Sequence, residues 1–159
     1  MAFGQGLSLK ARAIGLLSRR EYSRNELRRR LVPHCAEAAE LDALLDELEQ
    51  SKLLSNQRFA ESLVNRRAAQ HGSRRIAQEL RKHGVSDDTV SQVVHELQGD
   101  ELERARSVWE KRFGTAPTDA KEYARQFRFL AARGFPADSL RRILSETGAP
   151  VPDLPPEVE

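Results

Sequence analysis

The chain has 159 residues, 39% hydrophobic and 31% charged, with a net charge of +2 at pH 7. Its longest apolar runs fall far short of the roughly 20 residues that a membrane span needs. The single cysteine, Cys35, excludes an internal disulfide and fits a reducing cytoplasm.

Apolar residues recur at three- and four-residue spacing almost throughout, and strand-like alternation is absent, so the chain reads as all-α. Leu9, Ala13, Ile14 and Leu17 share one face of a first helix. Ser23 opens a second, and Glu26 three residues on completes a capping box. Pro33 stops that helix, because it lacks an N–H and restricts its predecessor. A third helix over about residues 37–50 buries Leu41, Leu44, Leu45 and Leu48.

Ser55 caps a fourth helix carrying Phe59, Ala60, Leu63 and Val64. Ser73 starts a fifth, with Ile76 and Leu80 inward, and Gly84-Val85 supply a left-handed stop with an apolar contact behind it. Asp87 or Asp88 begins the sixth. Ala105, Val108, Trp109 and Phe113 mark the seventh, and the eighth runs from Thr118 through Tyr123, Phe127 and Leu130 to Gly134-Phe135. Pro136 suits the first turn of the ninth.

These helices repeat as triplets. Leu31 is followed at fixed spacing by Leu41, Leu44, Leu45 and Leu48; Leu80 by Val90, Val93, Val94 and Leu97; Leu130 by Leu140, Ile143, Leu144 and Thr147. A period near 50 residues signals a tandem array. The expected architecture is three tandem three-helix repeats, at 8–54, 55–98 and 99–148, in an elongated, curved array. Disordered segments are expected at 1–7 and in the Pro-rich 149–159. Gln126 interrupts the pattern where Leu27 and Ile76 fall, and Phe127 is expected to take the buried role by a local shift. A unit of ~45 residues buries little area at about 25 cal/mol per Å2, barely offsetting its ordering entropy. The helices entering each triplet are therefore expected to be shared with the preceding one.

Catalytic signatures are missing. His95-Glu96 opens like a zinc-protease helix, but Gly99 stands where the second histidine is required. His34-Cys35 are adjacent and diverge on a helix. No phosphate-binding loop occurs. An array offers extended surface rather than an enclosing cleft, so the reading is a non-enzyme without metal or cofactor.

Charge is unevenly placed. Residues 1–85 hold 16 Lys/Arg against 10 Asp/Glu, a net of +6, and the remainder holds 10 against 14, a net of −4. Residues 37–49 alone hold six acidic groups and no basic one. Arg24, Arg28, Arg66, Arg67, Arg74, Arg81, Lys82 and Arg133 are the candidate contacts of a basic face. Arg125, Arg128, Arg141 and Arg142 continue the theme, and Arg75 is expected to pair with Glu79 four residues on. Guanidinium groups suit phosphates and carboxylates alike, so nucleic acid, single- or double-stranded, and an acidic protein surface both remain open. Three short helices also fit a helix-turn-helix regulator acting on duplex DNA.

The stretches AIGLLSRREYSRNELRRRL, LLSNQRFAESLVNRRAAQHGSRRIAQELRKHGV and RQFRFLAARGF resemble the RecX family of bacterial recombination regulators, over about residues 9–147. The blocks at 58–60, 72–76 and 133–135 are specific in combination. One departure stands out: Cys35-Ala36 take the place of a Gly and an apolar residue after the second helix. A left-handed cysteine is costly, so the first triplet is expected to turn differently. The resemblance implies a partner, the RecA filament on single-stranded DNA, with inhibition of ATP hydrolysis, strand exchange and coprotease activity; a cytoplasmic monomer is expected. The rival reading is a duplex-binding regulator acting without RecA.

Overall fold

A computed structural model describes residues 6–152. Among them lie nine α-helices and no strand: α1 Leu9–Leu17, α2 Arg24–Leu31, α3 Ala38–Gln50, α4 Asn56–Arg67, α5 Ser73–Lys82, α6 Asp87–Leu97, α7 Glu101–Arg112, α8 Ala120–Ala132 and α9 Ala137–Glu146. Expected disorder at the termini falls mainly on 1–5 and 153–159, outside the described residues. Ala149, assigned to the tail, is instead buried against the third core.

The starts and stops follow local chemistry. Ser8, Ser23, Ser55, Ser86 and Asp119 each accept a hydrogen bond from a free first-turn N–H of the helix that follows. With Asp119 as its cap, α8 starts at Ala120, two residues after Thr118. Glu26 does not complete the capping box: its carboxylate accepts two bonds from Arg20, at 2.7 and 3.1 Å. A bidentate charged donor is a stronger partner than a neutral N–H.

Gly84 and Gly134 have φ of +76° and +89°. Behind them the Val85 and Phe135 N–H groups bond back to Leu80 and Leu130, closing each helix as the sequence predicts. The first triplet does turn differently. A short 3-10 turn, Val32–His34, follows α2, and Cys35 is extended at φ −119° rather than left-handed. Pro136 lies one residue before α9, as its extended cap.

Three separate cores result, one per triplet. Leu27, Leu31, Leu41, Leu45, Leu48 and Leu54 build the first. Phe59, Leu63, Ile76, Leu80, Val90 and Val93 build the second. Trp109, Tyr123, Phe127, Leu130, Leu140 and Leu144 build the third. Phe127 is buried as expected, but without a shift that expels Gln126, which stays buried in the place of Leu27 and Ile76. The Trp109 indole N–H donates to its amide oxygen at 2.8 Å, and its amide nitrogen donates to the Thr115 carbonyl. A buried polar group is tolerable when so satisfied.

Helix packing lies mainly within each triplet. The entering helices α4 and α7 pack their length within their own triplet and link to the preceding repeat through their first turns. The Asn56 side chain accepts from the Arg24 N–H, and the buried Glu101 carboxylate accepts from the Ser73 N–H at 2.6 Å. Ser73 therefore does not cap α5 with its hydroxyl; Gly72 occupies the cap position without a side-chain bond. The free N–H groups there donate to the end of α8, from Gly72 to the Arg133 carbonyl (2.8 Å) and from Arg74 to that of Gly134 (3.1 Å). Orphan donors of one helix thus satisfy orphan acceptors of another.

This contact needs glycine on both sides. A Cβ at Gly72 would lie 2.3 Å from the Gly134 oxygen, and one at Gly134 would lie 2.5 Å from the Arg75 Cβ. Arg104 secures the same junction, donating to the carbonyls of Ala68, His71 and Leu97 and to Asp100. Between the first and second repeats, Gly84 abuts Asn25 and Arg58 pairs with Glu21. The N-terminus of α2 thus meets the C-terminal end of α5, and the N-terminus of α5 meets that of α8. Their dipoles join with opposite ends together.

Candidate functional site

Where the second and third repeats join, α5 and the end of α4 face the end of α8 across a groove of about 560 Å3. Arg67, Arg74, Arg75 and Lys82 line it, with His71 and His83. The sole carboxylate in its lining, Glu79, is already taken by Arg67 at 3.2 Å. Arg75 does not pair with Glu79 as its spacing suggested. Its guanidinium donates to the Ala132 carbonyl across the junction, which holds the charge over the groove. Arg74 and Lys82 have no ion-pair partner among the described residues.

His71 lies within this positive field. The Nδ1 atoms of His71 and His83 are buried without a hydrogen-bond partner. Burial first, then the charges of Arg75, Arg133 and Arg67, push the His71 imidazole below its ordinary 6.5.

The eight candidate contacts do not form one stripe. Arg67, Arg74 and Lys82 converge on the groove. Arg81 diverges toward Asp87, 3.6 Å away. Arg66 is exposed and bonds back to the Ser62 carbonyl. Arg133 lies over the Phe129 ring at 5.0 Å, in a neighbouring groove. Arg24 binds both Asp46 and Glu49 of α3, at 2.8 and 3.1 Å, and Arg28 binds Asp42 at 3.2 Å. The acidic run at 37–49 therefore folds back onto the basic helix before it and pairs with Arg24 and Arg28, two of its four arginines.

Sequence reasoning missed Arg75, Glu101 and Arg104. The last two act through contacts 28 to 36 residues away, which no local spacing encodes.

Fold and groove together define a class: an array of three-helix modules with a basic groove at a junction between them. No described helix is long and apolar enough to cross a membrane. Residues 55–94 match the second three-helix domain of RecX and residues 99–144 the third. The regulatory protein RecX of Ralstonia pickettii (strain 12J) is 54% identical over 141 residues, 89% of each chain. That of Chromobacterium violaceum is 52% identical over 89% of this chain and 91% of the relative. The crystal structure of RecX from Lactobacillus salivarius superposes with a TM-score of 0.73 over 88% of this chain and 94% of that one. At 20% identity, this last likeness concerns the fold alone. The chain belongs to the RecX family of regulatory proteins.

Proposed function

We propose that this chain binds RecA filaments on DNA and inhibits their ATP hydrolysis, strand exchange and coprotease activity. It acts as a cytoplasmic monomer that catalyses nothing itself. Family membership supports the partner; the unpaired cations of Arg74 and Lys82 in the groove support the mode of contact. A line of three modules can follow a helical polymer and touch more than one subunit, while the groove takes an acidic surface or a phosphate backbone. Arg67, Arg74, Arg75 and Lys82 are the central contacts, Arg66, Arg81 and Arg133 flank them, and Arg24 and Arg28 contribute least.

The duplex-binding rival fits the charges less well. In a helix-turn-helix module the last helix enters the major groove with its first residues on the bases. Here α6 begins with Asp87-Asp88, and α3 carries Glu40, Asp42, Asp46 and Glu47. These would face phosphates with carboxylates.

Purified RecA and chain, assayed for DNA-dependent ATP hydrolysis, test the proposal. The wild type should inhibit, and the Arg74→Glu, Arg81→Glu, Lys82→Glu variant should lose inhibition at least a hundredfold with unchanged helicity. Inhibition that survives the reversal would move the contact elsewhere. Tight, sequence-dependent duplex binding without RecA would favour the rival.

A further inference from the structure

The third repeat carries a feature that the first two lack. Phe113, at the end of α7, and Phe129, on the outer face of α8, are half-buried and meet edge to face with ring centres 5.3 Å apart. Gly114, at φ +66°, turns the chain away immediately after Phe113. Three guanidinium groups surround the two rings. Arg112 lies 5.5 and 5.4 Å from the Phe113 and Phe129 centres, Arg125 lies 5.4 Å from Phe113, and Arg133 lies 5.0 Å from Phe129.

The Phe129 ring lines a groove of about 350 Å3, together with Lys111, Arg112 and Arg133 and no carboxylate, and Phe113 backs it from the side. Gln70 also lines it. Arg125 is fixed by a two-pronged bond to Glu122. Arg112 and Arg133 have no ion-pair partner among the described residues. The α4–α5 loop and the end of α8 contribute to both this groove and the larger one, so the two lie side by side.

We infer that this cluster is a stacking site for an unpaired nucleic-acid strand, with one or two bases laid on the Arg112–Phe129–Arg133 planes and the phosphates met by Lys111 and the guanidinium edges. Flat cationic planes backed by aromatic rings are suited to bases, since every base has a π face and stacking tolerates any sequence. A duplex hides those faces. An acidic peptide would use the charges but gain nothing from the rings. Gln70 adds an amide able to bond a base edge. The site goes beyond the proposed RecA contact, because it requires no RecA.

The test is an anisotropy titration of the full chain, without RecA, against labelled oligothymidylate and an abasic strand of equal length. Thymidylate should bind about tenfold more tightly, since each stacked base is worth that order of affinity. In the Arg112→Lys, Arg133→Lys variant the charge stays and the planes go. Thymidylate binding should then weaken about fivefold while abasic binding holds. The Phe129→Leu variant, checked for folding by its melting curve, should do the same. Equal wild-type affinity for the two strands would overturn the inference, as would equal losses on both in the lysine variant. Polyglutamate displacing both strands alike, with no preference for bases, would assign the surface to an acidic protein instead. RecA inhibition is read in a separate assay, so failure here leaves the proposed function standing or falling on its own.

Discussion

The first and second repeats share an arginine-rich middle helix but present it in opposite ways. In the first, Arg24 and Arg28 of α2 are spent on Asp42, Asp46 and Glu49. In the second, Arg74, Arg75 and Lys82 of α5 stand over an open groove. Two changes make the difference. In the alignment of the repeats, Asp42, Asp46 and Glu49 of α3 correspond to Ser91 and His95 of α6 and to Gln98 just after it, while Arg24 and Arg28 correspond to Ser73 and Ala77, so the cations of α5 also stand at other positions of the helix. A basic run therefore says little about a binding face until its neighbour in the fold is known.

Transplanting that difference is the strongest way to break the comparison. The Asp42→Ser, Asp46→Asn, Glu49→Gln variant should free both arginines of α2. Affinity for a random-sequence duplex, used here only as a polyanion probe, should rise about tenfold. The slope of log Kobs against log salt should steepen by about 2, one phosphate for each freed guanidinium. A slope equal to that of the wild type would mean that the first repeat faces away from the ligand even when uncharged.

The converse change should do much less. Arg24→Gln with Arg28→Gln removes cations that are already committed, so RecA inhibition should change less than threefold. These ion pairs are partly exposed, and solvent screening limits each to roughly 1 kcal/mol of stability or below. Urea midpoints and the ATPase assay check both halves. A loss of inhibition approaching that of the Arg74, Arg81, Lys82 reversal would restore the continuous basic stripe that charge counting suggests.

Much of the array is legible in the residues, because helices and their ends are local matters. The Ser23 and Ser55 caps, the Gly84 and Gly134 stops and the three apolar ladders each depend on neighbours within about ten positions. Junctions are another matter. Gly72 and Gly134 are separated by a whole repeat, and only the fold shows that each is needed for the other. The Gly-Ser-Arg-Arg-Ile and Arg-Gly-Phe blocks, two of the three most specific in the resemblance to RecX, prove to be the two sides of that one contact. Gln126 was legible as an exception but not as a solution, since its partner Trp109 lies on another helix. The groove was half legible: Arg67, Arg74 and Lys82 came from sequence, whereas Arg75 was assigned a partner that Arg67 takes. The Phe113–Phe129 cluster escaped because its rings come from different helices and resemble core residues in any linear pattern.

The smallest expected effect concerns His71, which senses the charge that distinguishes the second repeat from the first. Its imidazole is buried at Nδ1 and faces Arg75, Arg133 and Arg67, so the folded chain holds its proton less tightly than the unfolded chain does. The neutral form therefore contributes its full stability above the ordinary value of 6.5. That contribution declines as pH falls through 6.5 toward the lower folded value, because the unfolded chain takes up the proton first. Urea midpoints at about pH 7.5 and about pH 5.5 should show a decline that is shallower in His71→Gln, which cannot titrate. Arg75→Gln, with His71 intact, should also reduce the slope by removing one of the opposing charges. Equal slopes in all three proteins would mean that the guanidinium groups stand farther from the imidazole in solution, and the groove would then be less positive than its geometry implies.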